Sequence, residues 1–289
     1  MSWRIIVISK RAKLDLQLGY MVVRSEEITK IVLSEISTIL IESTAVSLTT
    51  SLLAELARRK VKVIFCDEKR NPQAELVPYY GCHNDTLKIK KQLQWDAATV
   101  ESIWTRIVSE KISNQALLLR KTGHDECELL YDYVEQLQPG DVTNREGHAA
   151  KVYFNALFGK NFSRDDEECV TNAVLNYGYA LILSAVNREV SANGYLTQLG
   201  LWHDNQFNHF NLSCDLMEPI RIIVDEFVYF HNFSLFETEE KHKVADILNQ
   251  PVRINNTEQL LINAIKIYVK SVFDALNQDR LEEIRFIEL

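Results

Sequence analysis

The pattern of apolar and polar positions changes character once along the chain, near residue 87. Ahead of that point the apolar residues come in short runs rich in Ile and Val: "WRIIVIS", "KLDLQL", "YMVVRS", "KIVLSEI" and "TILIES". They alternate in part with polar residues, which is the strand signature. Gly19, between two of these runs, suits a tight turn. "SLTTSLLAELARRK" then sets Leu48, Leu52, Leu53 and Leu56 on one helical stripe and ends in bases, and "VKVIFCD" reads as one more strand. These elements predict a small β-rich domain with a single helix over residues 1–75.

"NPQAELVPYYGCHND" carries Pro72, Pro78 and Gly81 and reads as the start of a linker. The linker is placed at 76–95. Beyond it the apolar positions recur every three and four residues. "TLKIKKQLQWDAATVESIWTRIVSEKISNQALLLRKTG" predicts one or two helices stopping at Gly123. "ECELLYDYVEQLQPG", "REGHAAKVYFNALFG", "CVTNAVLNYGYALILSAVNREVSANG", "MEPIRIIVDEFVYFHN" and "TEQLLINAIKIYVKSVFDALNQ" predict five more. The expected fold is α+β: a small N-terminal β-rich domain, then a larger all-helical C-terminal domain over 96–289.

Composition narrows the setting. The 289 residues allow a substantial core. No apolar stretch approaches the ~18 residues of a membrane span, and the N-terminal segment carries charges too close behind its apolar run for a secretory signal. The five cysteines are odd in number and form no CxxC pair, which points to reduced thiols in a cytoplasm. Cys82-His83 alone is too little for a zinc site. The net charge of −8 counts against a nucleic-acid partner, because basic footprints normally supply that affinity through counterion release.

Three segments of the helical region carry candidate chemistry. In "TNREGHAAKVYFNALFG", Thr143 and Glu146 have the spacing of a capping box, with His148 an exposed neighbour. In "GYLTQLGLWHDNQFNHFNLS", His203 precedes a polar stretch holding Asn205, Gln206, Asn208, His209 and Asn211, and it reads either as a core histidine or as part of a functional loop. In "CDLMEPIR", Asp215 and Glu218 lie three apart, and Pro219 starts or kinks a helix. Asp215 has an N-cap reading and Glu218 a surface ion pair with Arg221. The two acids also suit a divalent cation between them. Taken together, Glu, His and Glu form an O, N, O set matched to Mg²⁺ or Mn²⁺, although spacing alone does not bring them together.

The order "REGHAAKVYFNALFG", "NAVLNYGYALILSAVNREV", "LGLWHDNQFNHFNLSCDLMEPIR", behind an N-terminal "MSWRIIVISKRAKLDLQLGYMVVR" and "IVLSEISTILIESTAVSLTTSLLAELARRKVKVIFCDEKRNPQAELVPY", resembles the CRISPR-associated integrase and endonuclease family of the first-numbered Cas protein, type II-A-like. The resemblance implies a metal triad of Glu146, His203 and Glu218, with Asp215 in support. It implies insertion of new spacer DNA at the leader-repeat junction by transesterification from a 3′-hydroxyl. It further implies a homodimer, formed through the β-domain, that flanks a dimer of the small second Cas protein, with prespacer DNA across the complex, and association with the system's effector nuclease and a ring-forming accessory protein. Arg145, Asn205 and His209 become candidate DNA contacts. Lys88, Lys90, Lys91, Arg106 and Lys111 are candidates for the DNA path or are solvated helix faces. A stand-alone metal-dependent nuclease acting on branched DNA and a non-catalytic DNA scaffold remain the alternatives.

Overall fold

A computed structural model describes residues 4–78 and 84–288. The Cys82-His83 pair and Gly81 lie outside the described residues. Up to residue 78 the described residues form two four-stranded sheets and one α-helix. The first sheet has the order β4-β3-β2-β6, from β2 (Ala12–Gln17), β3 (Tyr20–Arg24), β4 (Ile28–Val32) and β6 (Val46–Leu48). Its β2–β3 hairpin closes through Leu18 and Gly19, both at positive φ, the two-residue turn whose twist matches that of the strands. The second sheet has the order β1-β5-β7-β8, from β1 (Arg4–Ile8), β5 (Ile36–Ile41), β7 (Lys62–Cys66) and β8 (Pro72–Glu75). Helix α1 (Thr50–Arg58) is capped by the Thr49 hydroxyl and buries Leu52 and Leu56.

The second sheet is the seam of the molecule. β5 runs parallel to both neighbours and all six of its residues are buried, as expected of a strand covered on both faces. Its apolar side chains alternate between two cores. Ile39 and Ile41 join Val63, Leu14 and Leu56 in the small β-domain core, while Leu40, Ile64 and Cys66 face the helical core.

The helical region holds α2 (Asp85–Gln92), α3 (Ala97–Lys121), α4 (Cys127–Glu135), α5 (Arg145–Phe158), α6 (Val170–Ala192), α7 (Asn211–Met217), α8 (Arg221–His231), α9 (Thr238–Ala245) and α10 (Leu261–Gln278). The stretch expected as linker therefore contains α2, which is tied down where the Gln92 amide donates to the carbonyls of Leu196 and Leu199. α6 is the central helix. It is buried nearly all round, and a Cβ on its Gly178 would stand 2.4 Å from Val224 Cγ1, so this glycine lets α8 approach closely.

Two details depart from the sequence reading. The helical region is not wholly helical: β9 (Pro251–Ile254), β10 (Thr257–Leu260) and β11 (Ile287–Glu288) form a small antiparallel sheet of order β10-β9-β11. "TEQL" belongs to β10 rather than to the final helix. The turn before it, Asn255-Asn256 with both φ positive, is a hairpin signal that the apolar run after it concealed. The second departure lies in "MEPIRIIVDEFVYFHN", which is not one helix. α7 ends at Met217, a tight 3₁₀ turn spans Glu218–Ile220, and α8 begins at Arg221. Pro219 lacks the N–H that a continuous helix would need there.

Candidate metal and nucleic-acid site

The site gathers at the N-terminus of α5, the middle of α3 and the Pro219 turn. α5 is started by Asp141, not by Thr143. The Asp141 carboxylate accepts from the backbone N–H groups of Arg145 (2.7 Å) and Glu146 (2.9 Å). Asn144, at φ 52°, caps the Gly147 N–H. The capping box expected from Thr143 and Glu146 does not form; the Thr143 hydroxyl is buried without a partner. Gly140, at φ 68°, donates its N–H to the Thr105 hydroxyl of α3, which fixes this turn against that helix. Glu146 is thereby left with its carboxylate free to point at α3.

What it meets there is Lys111. The Lys111 ammonium lies 2.5 Å from Glu146 Oε1 and 2.5 Å from Glu218 Oε2. Glu218 is buried, and its other oxygen takes Arg221 at 3.0 Å. The expected Glu218–Arg221 ion pair thus forms, but at a buried site rather than on the surface, because the Pro219 turn faces the core. Burial alone would push the Glu218 carboxyl up, but the neighbouring Lys111 and Arg221 charges outweigh it and hold the acid below its ordinary value. Burial likewise works against the Lys111 ammonium, and Glu218 and Glu146 together carry it above the usual lysine value. One cation between two carboxylates is the local ground state.

His203 is set by a separate device. Asp215 is fully buried and is not an N-cap for its own helix. Its carboxylate accepts from the N–H groups of Leu201 (2.5 Å), Trp202 (3.1 Å) and His203 (3.2 Å), and it meets His203 Nδ1 at 2.5 Å. Nε2 is left as the ring's other nitrogen. Gly200 makes this wrap possible: a Cβ there would stand 2.3 Å from the His203 carbonyl and 2.7 Å from Asp215 Oδ2. The imidazole packs edge-on against Trp104 of α3, with ring centroids 5.9 Å apart. Its hydrogen bond to Asp215 holds the His203 pKa above the ordinary histidine value, over the opposing effect of burial.

The other sequence candidates are placed as follows. Asn205 turns its side-chain oxygen onto the Phe207 N–H, and Asn211 ties the loop by donating to the carbonyls of Gln198 and Asn205, both at 3.0 Å. His209 is exposed and its backbone carbonyl accepts from Thr197. Arg145 lies over the Tyr133 ring of α4. Lys88 lies over Tyr195, and Arg106 over Phe286. Lys111 is neither a DNA-path residue on a surface nor a solvated helix face in this arrangement, since it is bound between the two glutamates. Sequence reasoning missed Asp141, Gly200 and the position of Lys111. Gly200 had a signal, as a glycine just ahead of the His203 loop. Lys111 had none, because its partners are 35 and 107 residues away.

The donor chemistry suits a hard divalent cation. Two carboxylates already enclose one cation, and Glu218 Oε2 is a buried oxygen without a hydrogen bond of proper geometry. Among the described residues, however, no three His, Cys, Asp or Glu side chains are grouped to hold a metal ion, so the structure brings Glu146 and Glu218 together around Lys111 without completing a three-ligand set with His203.

This arrangement defines a class before it defines a family: a two-part α+β protein whose helical part presents a carboxylate pair around a lysine and, separately, an anchored histidine. Residues 5–244 match the sequence model of the family described as "CRISPR associated protein Cas1". The chain is 37% identical over 227 residues to the CRISPR-associated endonuclease Cas1 of Neisseria meningitidis serogroup C (strain 8013), covering 78% of this chain and 74% of the relative. The chain belongs to the Cas1 family. Among solved structures it is similar in fold to a casposase bound to integration product (TM-score 0.77, 18% identity, 96% of this chain and 91% of that one). It is also similar to a chain of a partial Cas6-RT-Cas1–Cas2 complex (TM-score 0.65, 16% identity, 98% of each chain). No helix among the described residues is long and apolar enough to cross a membrane.

Proposed function

We propose that this protein is a metal-dependent DNA integrase of CRISPR adaptation, inserting spacer DNA at the leader-repeat junction. The observation that carries the reading is the meeting of Glu146 and Glu218, from separate segments, around one buried cation position. The proposed ligands are Glu146, Glu218 and His203, with Asp215 as the residue that orients the imidazole. When bound, Mg²⁺ or Mn²⁺ supplies charge neutralisation at the scissile phosphate and at the entering and leaving oxygens.

The chain's own residues supply the rest. Asp215 engages Nδ1 and so directs Nε2 as the ligand nitrogen. Arg221 keeps Glu218 ionised in a buried setting. The Pro219 turn aims that carboxylate at α5. The bond that forms joins the 3′-oxygen of the incoming strand to the phosphorus at the 5′ end of the repeat. The bond that breaks frees the 3′-oxygen of the leader, which ends as a hydroxyl as the attacking hydroxyl gives up its proton. No side chain becomes covalently attached. The likeness to a casposase solved with its integration product supports joining rather than cleavage alone. The likeness to a chain from a Cas1–Cas2 complex supports a second Cas protein as partner. The proposed assembly sets integrase homodimers around a dimer of that partner, with the DNA across the complex. A basic partner surface or a local path would then offset the net charge of −8. Arg145, Asn205 and His209 remain proposed DNA contacts, and the effector nuclease and ring-forming accessory protein remain proposed associates.

The test incubates the protein and its small partner with Mn²⁺, a duplex bearing 3′-hydroxyls and a plasmid carrying leader and repeat. Joining is expected, with a loss of at least about a thousandfold in Glu218→Ala, equivalent to ~4 kcal/mol of transition-state stabilisation. Joining that persists in that variant overturns the site. Cleavage of branched DNA without joining overturns the integrase reading in favour of a nuclease.

A further inference from the structure

Lys111 sits where a metal shared by Glu146 and Glu218 would sit. Its ammonium is 2.5 Å from an oxygen of each, and its side chain is 13% exposed. Two ionised carboxylates this close do not persist in a buried site without a positive charge between them. A lysine is suited to a temporary role there. Its charge is compact and its four-carbon stem can rotate away, unlike the rigid fork of an arginine.

The surroundings allow that rotation. Arg221 holds Glu218 from its other oxygen, so the acid keeps one cation when Lys111 leaves. A cavity of about 70 Å³ adjoins the lysine, lined by Gln115, Tyr179, Glu218, Arg221 and Asp225 among others. Gln115 lies one helical turn beyond Lys111 on α3, and its side-chain oxygen is buried with no hydrogen-bond partner. That oxygen is an acceptor within the reach of a displaced ammonium.

We infer that Lys111 is the resident counter-cation of the site, and that a divalent metal enters by displacing its ammonium from between Glu146 and Glu218. The lysine keeps the metal-free protein folded with its carboxylates in register, and it lowers the affinity for metal by competing for the same oxygens. The inference rests on the metal reading of the site given above.

The experiment compares wild type, Lys111→Met and Glu218→Ala as full-length chains, by Mn²⁺ titration calorimetry and by Tm with EDTA or with Mn²⁺. In Lys111→Met the expected Mn²⁺ affinity is at least about tenfold tighter than in wild type, because a like charge has left the metal position. Its Tm in EDTA should fall, and its rise on adding Mn²⁺ should exceed that of wild type. If Lys111→Met is unfolded in EDTA, Mn²⁺ should restore a cooperative melt near that of wild type. Unchanged or weaker Mn²⁺ binding in Lys111→Met, or failure of Mn²⁺ to restore its melt, overturns the lysine inference while leaving the metal site standing. Wild type that binds no Mn²⁺ in a manner abolished by Glu218→Ala overturns the metal reading and the lysine inference with it.

Discussion

Two buried lysines, one at the seam of the domains and one in the candidate site, are perturbed in opposite directions. Lys62 of β7 pairs with Glu75 of β8, which also accepts from Ser184 of α6. Burial dominates there and holds the Lys62 ammonium below its ordinary value, with Arg188 nearby adding to the effect. Lys111 is also buried, but two carboxylates face it and carry it above its ordinary value. Depth is similar and residue type identical; the number of acids differs. A single pair joining two elements is a structural tie, whereas an acid pair around one cation is a place where the cation can be exchanged.

The comparison can be broken most directly at the seam. Lys62→Ala leaves the Glu75 carboxylate without its ammonium partner and is expected to cost on the order of 3–5 kcal/mol in denaturant unfolding, with Mn²⁺ affinity unchanged. Adding Glu75→Gln should recover part of that loss. A loss below ~1 kcal/mol would show that the seam pair is not a tie of this kind.

Another acid, Asp225, sharpens the point, because it has hydroxyls where the others have ammonium groups. Asp225 of α8 accepts from Tyr153 at 3.0 Å and from Tyr179, and burial carries its pKa up to about 6 over the opposing pull of those hydroxyls. Between the unfolded value near 3.8 and about 6, the native chain therefore holds a proton that the unfolded chain has released. This stabilising contribution is complete below the lower value and is lost as pH rises through the upper one. Unfolding free energies from pH 4 to 7 should show Asp225→Asn removing a fall on the order of 2–3 kcal/mol. An identical pH slope in the variant would mean that Asp225 is ionised throughout.

The smallest expected effect concerns the histidine anchor. Asp215→Asn keeps acceptors for part of the Leu201–His203 wrap but removes the charge facing Nδ1. Mn²⁺ affinity is expected to fall about 10- to 100-fold, or ~1.4–2.7 kcal/mol, by titration calorimetry. A large loss of stability with unchanged metal affinity would place Asp215 with Lys62, as a structural group only.

Legibility in the sequence followed the range of the interaction. The "KLDLQL"–Gly19–"YMVVRS" hairpin, α1 with its leucine stripe and the paired helices up to Gly123 are local patterns, and each forms where its pattern lies. β10 was misread because the Asn255-Asn256 turn is a weaker signal than the long apolar run it precedes. The site divides in the same way. Glu146, His203 and Glu218 were singled out through segment order and family likeness. The start of α5 was not: Asp141 serves it across four and five residues, and the nearer Thr143–Glu146 spacing competed for the same role.

By itself, then, the sequence determined the two-part α+β plan, the residue types able to take a hard cation, and the proline that interrupts the helix after Glu218. These depend on periodicity, turn chemistry and side-chain type, all carried within a few residues. Only the tertiary structure decided that Glu146 and Glu218 face one another, that Asp215 serves the His203 loop rather than its own helix, and that Lys111 stands between the glutamates. The contacts of Lys111 with the two glutamates join α3, α5 and the Pro219 turn across 35 to 107 residues of chain. They exist because packing against the helical core brings the three elements together, and no local pattern encodes the meeting.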